Sequence, residues 1–256
     1  MDEVNIIDAG ILLDIVYDER PMHENAMEFF NRFGNQGLAV ESNVNRRCQR
    51  SVLKCAGKFV SEFGEFLHGR GEEGNPVDQW DSMDRPLRST LLESFTRMSI
   101  ASSQSDGEGY NLFSRSLVNK AKQHLVEMDI IHVREYLQIL PAALTDHLSD
   151  SIKENFTYLV SLNTVDGKDI VGIRKALYEH ISFDSMDTAM TLAGLVCLIL
   201  YGSPGRKKYN SINFYTGDEI FIEDFKKIRE KKHSFIMEDG GDIKVALGSI
   251  NFEKPY

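Results

Sequence analysis

Cysteine is scarce in this chain. Three occur in 256 residues, Cys48, Cys55 and Cys197, with no CxxC pair. That usage excludes a disulfide framework and a thiolate zinc site and predicts buried thiols. The first residues, MDEVNIIDAG, hold no basic region, so no secretory signal is expected and the protein is expected to be cytoplasmic. The longest apolar run, TAMTLAGLVCLILY (188–201), is too short to span a bilayer; it predicts a largely buried helix and no membrane partner. Positive charge is also in deficit: the formal net charge is −10, with a pI near 5.2. The molecule as a whole therefore repels polyanions, which counts against general nucleic-acid binding. It does not exclude a nuclease whose acidic site takes up metal and whose basic contacts are local. The 7 histidines show no HExxH spacing, and no Gly-x-Ser-x-Gly, Walker A or GxGxxG sequence is present. Acyl-transfer, nucleoside-triphosphate and dinucleotide chemistry have no support.

What is present is an ordinary globular composition, 42% hydrophobic and 27% charged, in a chain long enough to bury a real core. Residues 4–8 and 37–40 (GLAV) read as short strands. Helices are expected in ILLDIVYD, in HENAMEFFNRF after the break at Pro21, and from Glu41 to about Leu67. In the last, Val44, Cys48, Val52, Cys55, Phe59 and Phe63 recur at three- and four-residue steps. Residues 87–162 show no convincing strand; their helical stretches include one running up to Pro141 and another, LSDSIKENFTYLVSL. VDGKDIVGIRKALYEH (165–180) predicts a helix, SINFYT (211–216) a strand, EIFIEDFKKIREKKH (219–233) a helix and HSFIM (233–237) a short edge strand. The final residues, EDGGDIKVALGSINFEKPY, have no strong pattern. Strands alternating with helices at both ends predict an α/β fold, a central parallel sheet flanked by helices, with a helical insertion in mid-chain. The expected division is 1–68 with 163–256 as the α/β core, and 69–162 as the insertion.

The chain's acids carry its chemistry. Asp8 follows VNII, Glu41 follows LAV and Asp218 lies just beyond NFYT, while Asp184 and Asp187 precede the apolar run at 188–201. Carboxylates just past strand ends lie where open α/β sheets place ligands. Two carboxylates about 4 Å apart repel by roughly 4 kcal/mol at an effective dielectric near 20. Converging acids therefore raise their pKa values or bind a cation, and Mg²⁺ or Mn²⁺ suits such a set. Asp184 and Asp187 are one helical turn apart, and either could be a ligand. Thr216 is placed to hold a carboxylate or a water. Each acid also has a plainer role: Asp8, Asp184, Asp187 and Asp218 as helix caps, Glu41 in a first helical turn favoured by the dipole. Arg46, Arg47 and Arg50 follow Glu41 on one helix, and GSPGRKKYN (202–210) brings Arg206, Lys207 and Lys208. Both stretches suit a nucleic-acid backbone, and both suit a solvated surface.

Together, IIDAGILL, AVESNV, MDTAMTLAG and FYTGDEIF resemble the PIN-domain nuclease family over roughly the first 65 and last 75 residues. The resemblance implies a PIN-like fold and a metal-dependent endoribonuclease acting on RNA. Asp8, Glu41, Asp187 and Asp218 would be catalytic and metal-binding, with Asp184 a further or alternative ligand to Mg²⁺ or Mn²⁺. It implies products with a 3′-hydroxyl and a 5′-phosphate. Two alternatives stay open. One is a PIN-like binding or scaffold protein without catalysis; under this reading and the nuclease reading alike, the helical segment 87–162 could serve a homodimer or a partner such as an inhibitor protein. The other, a haloacid-dehalogenase-type phosphatase, needs a second Asp two residues after the nucleophile, where this chain has Gly10.

Overall fold

The computed structural model describes residues 3–18, 20–34, 37–69, 76–102, 120–161, 172–175, 177, 186–204, 208–230 and 242–255. In chain order its elements begin with β1 (Glu3–Ile7), α1 (Ala9–Val16), α2 (His23–Phe33), β2 (Ala39–Glu41) and α3 (Ser42–His68). Next come α4 (Pro76–Gln79), a 3₁₀ turn at Trp80–Ser82, α5 (Arg85–Ser102), α6 (Ile130–Asn155) and β3 (Thr157–Leu159). The chain ends with α7 (Met186–Leu200), β4 (Ser211–Tyr215), α8 (Glu219–Glu230), α9 (Ile243–Gly248) and β5 (Ile250–Glu253). Residues 120–125, 172–175 and 177 are also helical. The chain gathers into two compact units, Met1–Val16 with Met22–Cys48 and Asp150–Tyr256, and Tyr17–Pro21 with Gln49–Ser149.

The first unit carries a five-stranded sheet in the order β3-β2-β1-β4-β5, every pair parallel. This is the α/β architecture the sequence predicts, consistent with a PIN-like fold. Parallel strands joined through helices are covered on both faces, so their residues are apolar in near-continuous runs. Ile6, Ile7, Val40, Ile212 and Phe214 are accordingly inaccessible to solvent. β1 pairs with β4 from Glu3↔Ser211 to Ile7↔Tyr215, and with β2 at Ile6↔Ala39. From β1 the chain builds outward through β2 to β3, then returns to β4 and builds the other way to β5. The order therefore reverses between β1 and β4, where an open α/β sheet forms its ligand crevice.

The second unit holds helices and their connections, with no strand among its described residues. Phe59 and Phe63 of α3 pack against Phe95 of α5, ring centroids 6.0 and 4.9 Å apart. Arg88 donates to the backbone carbonyls of Trp80, Val126 and Met128 and lies over the Trp80 ring.

Three details depart from the sequence reading. β3 joins the sheet, in register with β2 from Ala39↔Thr157 to Glu41↔Leu159, where a helix was expected. Only three residues long, it shows no period, and its β-branched and aromatic side chains are its one sequence signal. Pro141 does not end a helix: α6 runs through it. Val133, Leu137, Leu140 and Leu148 keep one buried stripe on both sides, and that packing outweighs the lost backbone bond. The C-terminal residues form α9, capped by the Asp242 carboxylate on Lys244 and Val245 N–H, and then β5. Phe252 of β5 packs on Phe214, Phe221 and Phe225. The expected strand at 233–237 lies outside the described residues, as does most of the helix expected over 165–180. The three cysteines are buried thiols. Among the described residues no helix is long and apolar enough to cross a membrane.

Candidate functional site at the sheet's C-terminal edge

β1 ends where its sequence turns from Ile6-Ile7 to Asp8, and the backbone follows. Asp8 N–H donates to the Tyr215 carbonyl at 2.9 Å, extending the β1–β4 ladder, while its own carbonyl accepts from Leu12 N–H at 3.0 Å and opens α1. Asp8 is buried at the crevice, only 4% exposed as a residue. Its Oδ2 accepts the Thr216 hydroxyl at 2.9 Å and its Oδ1 lies 3.4 Å from Arg47 Nη1. Burial pushes the carboxyl above its usual range, and nearby Asp218 pushes the same way. Arg47, the Ala9 N–H and Thr216 pull against this without cancelling it.

Across the crevice, Thr216 is fully buried, and its N–H donates to the Glu253 carbonyl of β5. Its hydroxyl oxygen also accepts the Asp218 N–H at 3.0 Å, so one side chain ties the Asp8 carboxylate to the backbone of Asp218. Asp218 caps α8 through Phe221 N–H to Oδ1, 3.1 Å, as the plainer reading of this residue expects. Its other oxygen, Oδ2, is 3.7 Å from Arg47 Nη2. The Arg47 guanidinium thus spans two carboxylates, one from each side of the crevice.

Glu41, at the end of β2, has a different setting. Two residues beyond the Ile6↔Ala39 pair, β1 reaches Asp8 and β2 reaches Glu41. The Glu41 carboxylate is fully buried and takes hydrogen bonds on both oxygens. Oε1 accepts from Ser42 Oγ at 2.7 Å, Ser161 Oγ at 2.5 Å and Asn43 Nδ2 at 3.1 Å. Oε2 accepts from the N–H groups of Asn43 at 2.8 Å and Val44 at 3.4 Å, two of the otherwise unpaired donors at the start of α3. Burial raises this carboxyl too, against the opposing pull of those donors. Gly194 of α7 passes so close that a Cβ there would meet Asn43 Nδ2 and Glu41 Cδ at 2.8 Å.

Asp187 falls in the first turn of α7, seven positions before Gly194, which places the two positions on one helix face; its side chain lies outside the described residues. Asp184 lies outside them entirely, with Arg206 and Lys207. Lys208, Arg46 and Arg50 are exposed. The structure therefore brings Asp8, Thr216, Asp218 and Arg47 together and gives Glu41 its own neighbouring cluster. Among the described residues, no three His, Cys, Asp or Glu side chains are placed to share one metal ion. Sequence reasoning missed Ser161 and the contact of Gly194, and read Arg47 only as a nucleic-acid contact. Ser42 and Asn43 beside Glu41 were a legible capping signal; nothing near Ser161 announces its bond across 120 residues.

No family model matches the chain, and no match was found among curated proteins or solved structures.

Proposed function

We propose that this protein is a metal-dependent endoribonuclease of PIN type. The observation that carries the reading is the reversal of strand order between β1 and β4, with Asp8 on one side of that crevice and Thr216 and Asp218 on the other. Mg²⁺ binds through one or two carboxylates, keeping waters and taking up substrate phosphate oxygens, so the donor set of Asp8 and Asp218 fits it. Glu41, Asp187 and Asp184 are further ligands on the strength of the resemblance. A divalent cation there supplies Lewis acidity toward water and a phosphodiester. The chain's own residues do the positioning: Thr216 holds Asp8 Oδ2 and the Asp218 backbone in a fixed relation. Arg46 on α3 and Lys208 offer cations to an RNA backbone that an acidic molecule needs locally. The test is incubation of purified protein with varied single-stranded RNAs and Mn²⁺. Cleavage lost in Asp8→Asn supports the assignment; equal cleavage by wild type and variant means a contaminant.

A second reading rests on two specific observations: Arg47 already spans Asp8 and Asp218, and every Glu41 oxygen is hydrogen-bonded. On that reading the protein is a PIN-like binding or scaffold module that performs no metal chemistry. RNA retained on the protein but left intact with Mn²⁺ or Mg²⁺ favours it.

A further inference from the structure

We infer that Arg47 is a built-in counter-ion that competes with a divalent cation for Asp8 and Asp218; this rests on the proposal that these two carboxylates bind such a cation. The geometry is that of a bridge, not a clamp. Separate guanidinium nitrogens reach the two acids, Nη1 to Asp8 Oδ1 at 3.4 Å and Nη2 to Asp218 Oδ2 at 3.7 Å. Optimised charge-assisted bonds from arginine are about 2.7–2.9 Å and commonly engage both oxygens of one carboxylate. Arg47 achieves neither with either acid. It is held by charge at longer range, which makes it an exchangeable partner.

Exposure supports exchange. The Arg47 side chain is 25% exposed and Asp218 31%, while Asp8 is 5%. The guanidinium can leave toward water, whereas the buried Asp8 carboxylate cannot. The fixed and mobile parts are thus distinguishable. Thr216 locks the spacing of the acids from below, and Arg47 covers them from the solvent side. While the arginine stays, it neutralises carboxylates that would otherwise repel each other. A cation arriving at the same oxygens meets a like charge until the guanidinium withdraws. Withdrawal from Asp8 and Asp218 also frees a cation beside the site for the phosphate of a substrate.

The experiment is calorimetric titration of Mn²⁺ into the full chain at neutral pH, comparing wild type with Arg47→Gln, Arg47→Lys, Arg46→Gln and Asp8→Asn. Loss of a close like charge is expected to tighten Mn²⁺ binding by Arg47→Gln at least about tenfold. Arg47→Lys, which keeps the charge but cannot fork between two acids, should fall between that variant and wild type. Arg46→Gln, with the same change in net charge one residue away, should match wild type. Asp8→Asn should lose binding. Binding by wild type that is unchanged or weakened in Arg47→Gln overturns the competition and leaves the metal site standing. Equal tightening in Arg46→Gln also overturns it, since net charge would then suffice. No Mn²⁺ uptake by wild type or by either Arg47 variant overturns the metal reading and this inference with it. Should Arg47→Gln fail to fold, Arg47→Lys decides: affinity unchanged from wild type overturns the competition.

Discussion

Asp8 and Glu41 are buried carboxylates at the ends of adjacent parallel strands, and burial raises both above the ordinary carboxylate range. Their partners differ. Glu41 accepts five hydrogen bonds from Ser42, Asn43, Val44 and Ser161, four of them from the first residues of its own helix. Asp8 has two neutral donors, the Thr216 hydroxyl and the Ala9 N–H, and otherwise faces an arginine that it shares with Asp218. At the β2 end a ligand would have to displace the fold's own neutral donors, while the β1 end keeps an acid whose positive partner can exchange. Sequence position relative to a strand end therefore does not decide which carboxylate is available to a ligand; the supply of nearby neutral donors does.

The largest effect should come from removing the acid that the fold depends on. Glu41→Ala takes the acceptor from the Asn43 and Val44 N–H groups and from the Ser161 hydroxyl and leaves the Ser42 and Asn43 side chains only Ser161 Oγ, and orphaned buried groups cost about 1–3 kcal/mol each before relaxation. A loss of about 3–5 kcal/mol is expected in urea unfolding. A loss below about 1 kcal/mol would place Glu41 with Asp8 and erase the contrast. Asp8→Asn should behave in the opposite manner. The amide keeps an oxygen for Thr216 and removes a buried charge, so stability should hold within about 1 kcal/mol while RNA cleavage drops to background.

Gly194 tests the packing around Glu41 from the α7 side. Gly→Ala inside a helix normally stabilises by up to about 1 kcal/mol. At Gly194 the added methyl would press on Glu41 and Asn43 at 2.8 Å, and overpacking of that kind costs about 1–3 kcal/mol. A net loss is expected. Gly57→Ala in α3, where nothing lies within 4 Å of the new Cβ, should gain stability. The two substitutions have opposite signs if the Glu41 cluster is as tight as its hydrogen bonds indicate.

The fold was legible where elements are long or end in a chemical signal. VNII-Asp8, LAV-Glu41 and SINFYT marked β1, β2 and β4, and with them the three central strands. β3 and β5, at the two sheet edges, are three and four residues long, and such short runs show no periodicity. Their place is fixed by pairing with β2 and β4, which a local pattern does not contain. The site was legible in part for the same reason. Asp8, Thr216 and Asp218 announced themselves by adjacency to strands, as did Asp218's cap on α8. Arg47 looked like one of several cations on a helix because the turn that faces it to Asp8 depends on how α3 leaves β2. Ser161 reaches Glu41 only because β3 lies beside β2.

The smallest effect, and the most direct comparison of the two acids' surroundings, is in pH. Asp8 holds its proton in the folded chain at pH values where the unfolded chain, with a carboxyl near about 3.9, has released it. The folded state therefore binds more protons over that window, and linkage makes Asp8's contribution fall as pH rises through it, then level off above the raised native pKa. Exposed Glu93 and Asp129, whose carboxyls are lowered by Lys122 and by His132 respectively, act with the opposite sign, so the raw pH profile mixes both. The difference between wild type and Asp8→Asn isolates the term: the variant should gain on wild type as pH rises from about 4 and keep a constant lead above the window. Arg47→Gln should widen that window upward, because Arg47 is the strongest of the influences holding Asp8's pKa down. Urea midpoints across a pH series measure both. A difference curve that is flat would mean that burial does not raise the Asp8 carboxyl in the folded chain, and one that slopes the same way for Asp8→Asn and Arg47→Gln would mean that Arg47 does not hold it down.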